Sequence, residues 1–211
     1  MKKKKTEKQE KHAGKLKILA ASDLHGSSDI AEKLAEKARK NKVDLVVLLG
    51  DIHGMANESR NLISPFKKNN QKVVFIPGNW DTRLEAEMLK QVYGIKNVDE
   101  HYVVYNDVGI IGIGNPDFRL SLNEKKAMRK LKSDFEKLKS GKKILVSHIH
   151  ARGTRAEFSG FPGSIALRKA VDYFQPDFLL QAHIHEAEGI EEKIGKTKVI
   201  NVGRKGKIIE V

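Results

Sequence analysis

The order of apolar segments along this 211-residue chain predicts an α/β fold built on a mainly parallel sheet. Two observations carry that reading. Short β-rich apolar runs alternate with stretches whose apolar residues recur at helical spacing. The early runs also close on turn signals, Gly50-Asp51 after the second and Pro77-Gly78-Asn79 after the third. The chain is 39% hydrophobic, below a typical soluble composition yet far above disorder, so its length suits one domain with a real core.

Residues 16–22 form the first strand, with Asp23 at its end. A helix starts near Asp29, with Glu32 in the capping-box position and Ile30, Leu34 and Ala38 on one face. The run at 45–49 is the second strand, and a helix over 57–69 ends at Asn69-Asn70. The third strand covers 73–76, followed by a helix over 83–92. Residues 102–105 and 108–113 read as a hairpin around Asn106-Asp107. Ser121-x-x-Glu124 reads as a capping box opening a helix with Met128, Leu131, Phe135 and Leu138 on one stripe. Strands at 143–147 and 178–181 flank a loop rich in Gly and Arg and a helix near 164–174. Short strands near 190–194, 197–201 and 207–211 close the chain.

Composition narrows the function classes. Net charge is +13, and residues 1–15 alone hold seven Lys and two Glu. That segment has no core-forming residues and is expected to be a disordered tail, either simply solvated or attracting polyanions non-specifically. Residues 16–211 are expected to form a single domain. No apolar run approaches ~18 residues, which excludes a membrane span. The charged start is followed by no apolar stretch, so no secretory signal is read and a cytoplasmic location is expected. The body's Lys- and Glu-rich charge, 32% of the chain being charged, resembles a thermophile's surface. With no Cys, disulfides, thiolate metal sites and a Cys nucleophile are excluded. A metal must then be held by His, Asp, Glu or Asn. Nothing in the pattern fixes the oligomeric state.

The polar residues that matter stand at strand ends. Asp23 and His25 follow the first strand, Asp51 and His53 the second, and Asn79 the third. His148 and His150 follow the strand at 143–147, and His183 and His185 the strand at 178–181. Taken singly, an Asp here caps a helix, a His is half-buried surface, and Gly-Asn is a turn. Taken together they aim metal-type ligands from five strand ends at the one crevice where open α/β sheets place their sites. Carboxylate, imidazole and amide oxygen without thiolate suit Mn, Fe, Zn, Ni or Co.

The ordered set Asp23-Leu24-His25, Gly50-Asp51, Gly78-Asn79, His148 and His183-Ile184-His185 resembles the calcineurin-like metallophosphoesterase family over roughly residues 16–203. The C-terminal half, with Gly163-Ser164, Gln175-Pro176-Asp177 and His183-Ile184-His185-Glu186, is similar to its small archaeal members. The resemblance implies a four-layer α-β-β-α sandwich of two mixed β-sheets with a dinuclear site at the strand ends. It implies that Asp23, His25 and His185 hold one divalent ion and Asn79, His148 and His183 the other, with Asp51 bridging. It further implies in-line attack on a phosphoester by a hydroxide held between the two ions, Mn²⁺ being the expected metal.

Three departures from the family pattern bear on activity. Trp80 stands where the Gly-Asn-His block usually carries a His that positions phosphate and protonates the leaving group. An indole N–H cannot act as an acid, so poor leaving groups should suffer and phosphodiesters be favoured over monoesters. Ala182 replaces a Gly, a mild change, and His150 is an added group. His150 and His53 are the candidates for a replacement proton donor, and Arg152, Arg155 and Arg168 for gripping a substrate phosphate. The competing readings are a metal-binding scaffold with weak catalysis, and a nuclease suggested by the charge. Against the nuclease, only 6% of residues are aromatic and no recognition helix stands out.

Overall fold

The computed structural model describes residues 15–54, 61–99 and 101–211. The expected tail at 1–15 therefore lies outside the described residues, apart from Lys15. In the first sheet β1 (Lys17–Ala21), β2 (Leu45–Leu48), β3 (Val73–Phe75) and the two-residue β4 (Lys96–Asn97) are parallel neighbours. The second sheet is led by β5 (Val103–Tyr105), antiparallel to β6 (Val108–Ile113). Then β7 (Lys142–Ser147), β8 (Phe178–Gln181) and β10 (Thr197–Asn201) continue parallel to β6, with β9 (Glu191–Ile194) antiparallel on the far edge. The chain ends by crossing back, as β11 (Lys207–Glu210) pairs antiparallel with β1.

Alternation along the strands builds the layers. Ile18, Val47 and Val74 of the first sheet pack with Ile110, Ile144, Val146, Leu180 and Ile200 of the second in one buried cluster between the sheets. Their chain neighbours Leu19, Val46, Leu48 and Phe75 point outward. There they meet Leu34 and Ala38 of α1 (Ser28–Lys40), Phe66 of α2 (Ser64–Lys68) and Leu89 of α3 (Arg83–Tyr93). On the opposite outer face, Ile111, Leu145, Leu179 and Val199 meet Leu131 and Phe135 of α4 (Glu124–Lys137) and Leu167 and Val171 of α5 (Ile165–Phe174). The result is the four-layer α-β-β-α sandwich.

Several local expectations change. The cap of α1 is Ser27, whose hydroxyl accepts from Ile30 N at 3.3 Å, so the helix starts one residue before Asp29. The helix expected over 57–69 is only Ser64–Lys68. Pro65 sits in its first turn and has no N–H to donate to a preceding carbonyl, so a further turn upstream would lack that hydrogen bond. Residues 57–60 of that expectation lie outside the described residues. Ser121 does not cap α4, because Asn123 accepts from Lys126 N at 3.1 Å instead. Glu124 turns to the neighbouring helix, accepting from Ser164 Oγ at 3.0 Å and Ala166 N at 2.6 Å. The hairpin stands as expected, with Asn106 and Asp107 both left-handed at φ 46° and 63°, the geometry a two-residue β-turn needs.

Candidate metal centre

The C-terminal ends of β1, β2 and β3 meet those of β7 and β8, and β1, β2 and β8 deliver their polar residues in strained turns. Asp23, His25, Asp51 and His183 all have left-handed backbone, at φ 60°, 44°, 49° and 71°. For non-glycine residues each such turn costs on the order of 1–3 kcal/mol and is kept where the surroundings over-determine it. Here the turns hold one another. Asp23 N donates to Gly50 O at 3.1 Å, and His25 N to Asp51 O at 2.9 Å. Gly50, at φ 90°, lies so close to Gly78 that a Cβ on it would strike the Gly78 backbone. Only glycine lets the Asp51 and Asn79 turns approach this closely.

Two groups of ligand-type side chains result. Asp23, His25 and His185 form one, and Asp51, His148 and His183 the other, the ligand atoms within each group lying within 4.8 Å of one another. In the first, His185 Nε2 is 3.4 Å from Asp23 Oδ1 and 3.3 Å from His25 Nε2. In the second, His148 Nε2 is 3.2 Å from Asp51 Oδ2 and 3.0 Å from Asn79 Oδ1. The same Asp51 Oδ2 lies 3.8 Å from His25 Nε2, so one carboxylate oxygen touches both groups. Its other oxygen accepts from Trp80 N at 2.9 Å, which fixes the plane of the carboxylate.

The electrostatics suit cation binding. Burial, with the neighbouring His148, holds the His183 imidazole down to about 4, and burial also lowers His25. Both are neutral at physiological pH, as a ligand must be; burial works against charge on His148, but Asp51 raises it to about 9, and Asp23 raises His185, so an ion binding at His148 would displace its proton. For Asp51, burial opposes ionisation, but the charge and hydrogen bond of His148 outweigh it and keep the carboxyl below its ordinary range. His148 Nδ1 donates to Leu49 O at 2.8 Å, which leaves Nε2 to face the centre. Asp23 Oδ1 is buried without a hydrogen-bond partner. Such an oxygen costs free energy unless something positive meets it, and facing imidazole nitrogens around it fit a divalent ion. The donor set therefore fits two divalent metals.

The hollow over these ligands, about 460 Å³, is lined by His25, Asp51, Gly54, Trp80, His183, His185 and Arg204. A larger hollow of about 590 Å³, between α4 and α5, lies away from every ligand. The residues expected to supply a proton or grip phosphate are not brought to the centre. His53 is buried, its Nδ1 3.0 Å from Asp81 Oδ1, and Asp81 raises it against the effect of burial. His150 is 1% exposed, and its Nε2 is 3.1 Å from the Phe161 carbonyl, so that nitrogen is committed as a donor to backbone. Arg152 pairs with Glu157 at 3.4 Å and Arg168 with Asp172 at 3.0 Å. Arg155 lies on the 3-10 turn Arg155–Ser159, and none of the three lines the hollow.

Two residues were missed. Arg204, after β10, donates from Nε to Asp23 O at 2.7 Å and lines the hollow. Its signal was present, since it too follows a strand end, but it lies outside the residue types sought there. Asp81 shows the same signal, two residues beyond Asn79 at the end of the third strand, but nothing in that position says that it binds backbone. Its carboxylate accepts from the backbone N–H groups of Ile52, His53 and Gly78, tying the Asp51 and Asn79 turns together.

Residues 16–187 match the family described as calcineurin-like phosphoesterase. No curated protein matches the sequence. Solved structures share the fold at low identity. A Thermus thermophilus protein, TT1561, is 21% identical with a TM-score of 0.72, over 93% of this chain and 99% of its own. A dimetal phosphatase from Danio rerio is 13% identical with a TM-score of 0.63, over 90% and 88%. A protein described as a novel archaeal phosphodiesterase is 17% identical with a TM-score of 0.54, over 92% and 99%.

Proposed function

The chain belongs to the calcineurin-like phosphoesterase family, hydrolases of phosphoester bonds, and on that premise we propose that it is a phosphodiesterase dependent on two divalent metal ions. The observation that carries the reading is the Asp51 carboxylate within reach of both ligand groups. Asp23, His25 and His185 would hold one ion, and Asn79, His148 and His183 the other, with Asp51 shared. When bound, such a pair polarises phosphoryl oxygens and supplies a nucleophilic water at neutral pH.

The remaining work falls to this chain's residues. Leu49 O and Trp80 N fix the orientations of His148 and Asp51. Arg204 is anchored through Nε, and its terminal nitrogens have no partner among the described residues. They are free to hold a phosphoryl oxygen by charge-assisted hydrogen bonds. Trp80 lines the hollow without an acidic proton, so an alcohol that leaves poorly receives no help there. His183 and His185 also line a second hollow of about 470 Å³, so a phosphorus at the centre has room for two ester arms. That room favours diesters. The test is hydrolysis with Mn²⁺ of bis(p-nitrophenyl) phosphate beside p-nitrophenyl phosphate. The diester should be cleaved more efficiently, and His148→Ala should abolish turnover. Metal binding without turnover of any phosphoester would favour a scaffold instead.

A further inference from the structure

Aromatic residues are scarce in this chain, at 6%, yet four of them gather at the mouth of the metal centre. Trp80 lines the first hollow and Phe118 packs edge-on against it, ring centroids 6.0 Å apart. Phe158 and Phe161 line the second hollow together with Leu120 and Ile184. Phe118 is 64% exposed, Leu120 67%, Phe158 61% and Phe161 52%. Apolar residues exposed singly need no explanation, but a contiguous set bordering a site marks a surface that a ligand covers.

Both walls are fixed in place by contacts that do not involve the exposed rings. The 3-10 turn carrying Phe158 is seated through Ala156 on Ile184 and Ala187. Glu157 accepts from Gly163 N at 2.9 Å, closing the loop, and buried His150 holds the Phe161 carbonyl at 3.1 Å. On the opposite wall Phe118 N donates to Asn79 O at 2.9 Å and Asp117 N to Asp81 O at 3.0 Å, tying that loop to a ligand turn. The rings are thus presented before any ligand arrives, which lowers the entropy cost of binding.

The shape of the surface selects a flat ring. Phe161 meets the His183 imidazole at an interplanar angle of 72°, and Trp80 meets His25 at 77°. In such edge-to-face contacts the edge of one ring meets the face of the other, so each contact takes at most one face of Phe161 or Trp80 and leaves another for stacking. Glu186 borders the second hollow and opposes a further anionic group there. We propose that the second hollow receives an uncharged planar ring on one ester arm, so that the substrates are phosphodiesters of the nucleoside type. This rests on the phosphodiesterase reading of the same centre. It also gives His150 a positioning role, holding the Phe161 backbone.

The test uses Trp80, the single tryptophan of the chain, as its reporter. The metal-loaded protein is titrated with thymidine 5′-monophosphate, with 2-deoxyribose 5-phosphate, in which a hydroxyl replaces the base, and with octyl phosphate, which carries an alkyl arm. Thymidine monophosphate should bind about tenfold more tightly than the sugar phosphate, the size of one base–aromatic stack. That ratio should fall toward one in Phe158→Ala and Phe161→Ala, whose side chains are exposed. A ratio near one in the parent protein, an unchanged ratio in both variants, or tighter binding of octyl phosphate each overturns the proposal. The two readings fail separately. A protein that cleaves no diester but keeps the ratio loses the phosphodiesterase reading alone, whereas one that cleaves diesters with a ratio near one loses the ring site alone.

Discussion

Replacing Trp80 by His should place a proton donor at the edge of this centre, at a position where the indole supplies none. The backbone at position 80 already donates to Asp51 Oδ1 at 2.9 Å, and that bond does not depend on the side chain. The indole lies against the first ligand group, 6.1 Å between its centroid and that of His25, so an imidazole there borders the hollow. The cost to the fold is the edge contact with Phe118, roughly 0.5–1.5 kcal/mol. General acid help is typically worth ~10²–10⁴-fold, and an imidazole not positioned by its surroundings should fall short of that range, recovering about tenfold. The assay is kcat/KM for an alkyl phosphomonoester relative to an aryl phosphodiester, in Trp80→His, Trp80→Phe and the parent. Trp80→Phe keeps a ring without a donor and should leave the ratio low. The gain in Trp80→His should be present at acidic pH and fade as pH rises past the imidazole's ordinary value near ~6.5, because only the protonated ring donates. Equal ratios in all three proteins would refute the claim that the missing proton donor limits monoester hydrolysis.

Other perturbations test separate parts of the structure. Arg204→Ala should lower kcat/KM for a diester by about tenfold, seen in steady-state kinetics, with partial recovery in Arg204→Lys; the guanidinium is exposed, which limits the loss. Glu124→Ala removes the acceptor for Ser164 Oγ and Ala166 N, and denaturant unfolding should show a loss of about 1–2 kcal/mol. Asp177 accepts from Lys143 N and Lys142 Nζ, both at 2.8 Å; burial works against its charge, but these bonds prevail and lower its pKa. A lowered carboxyl stabilises the fold above its unfolded value near ~3.9 and loses that contribution as pH falls through the folded value. Asp177→Asn should therefore be less stable than the parent at neutral pH and converge with it in acid, as followed by thermal unfolding.

The parts of this structure that repeat were legible before any coordinates. The unbroken apolar runs Leu45–Leu48 and Val73–Phe75 mark strands buried on both faces, and helical spacing in α4 marks its inner stripe. Ends were harder, because Ser27 against Asp29 and Asn123 against Ser121 are equivalent capping chemistry two residues apart. The two-residue β4 is too short to show a period. At the site, residues that follow strands were found because the chain direction alone brings them together. Asp81 and Arg204 act through backbone groups, Ile52 N, Gly78 N and Asp23 O, which carry no identity in a sequence. His150 illustrates the converse, since its position beside a ligand suggested chemistry while its ring bonds to a loop carbonyl.

The proposed chemistry requires Asp51 to serve two ions at once. Metal content by mass spectrometry, after reconstitution with Mn²⁺ and removal of free metal, should be measured with diester turnover on the same samples of parent and Asp51→Asn. The parent should hold two ions per chain and the variant fewer, with a fall in turnover of about 100-fold, the upper end of what losing a group that supports a metal ligand costs. A parent protein that retains no metal, or an Asp51→Asn variant with full turnover, would contradict it.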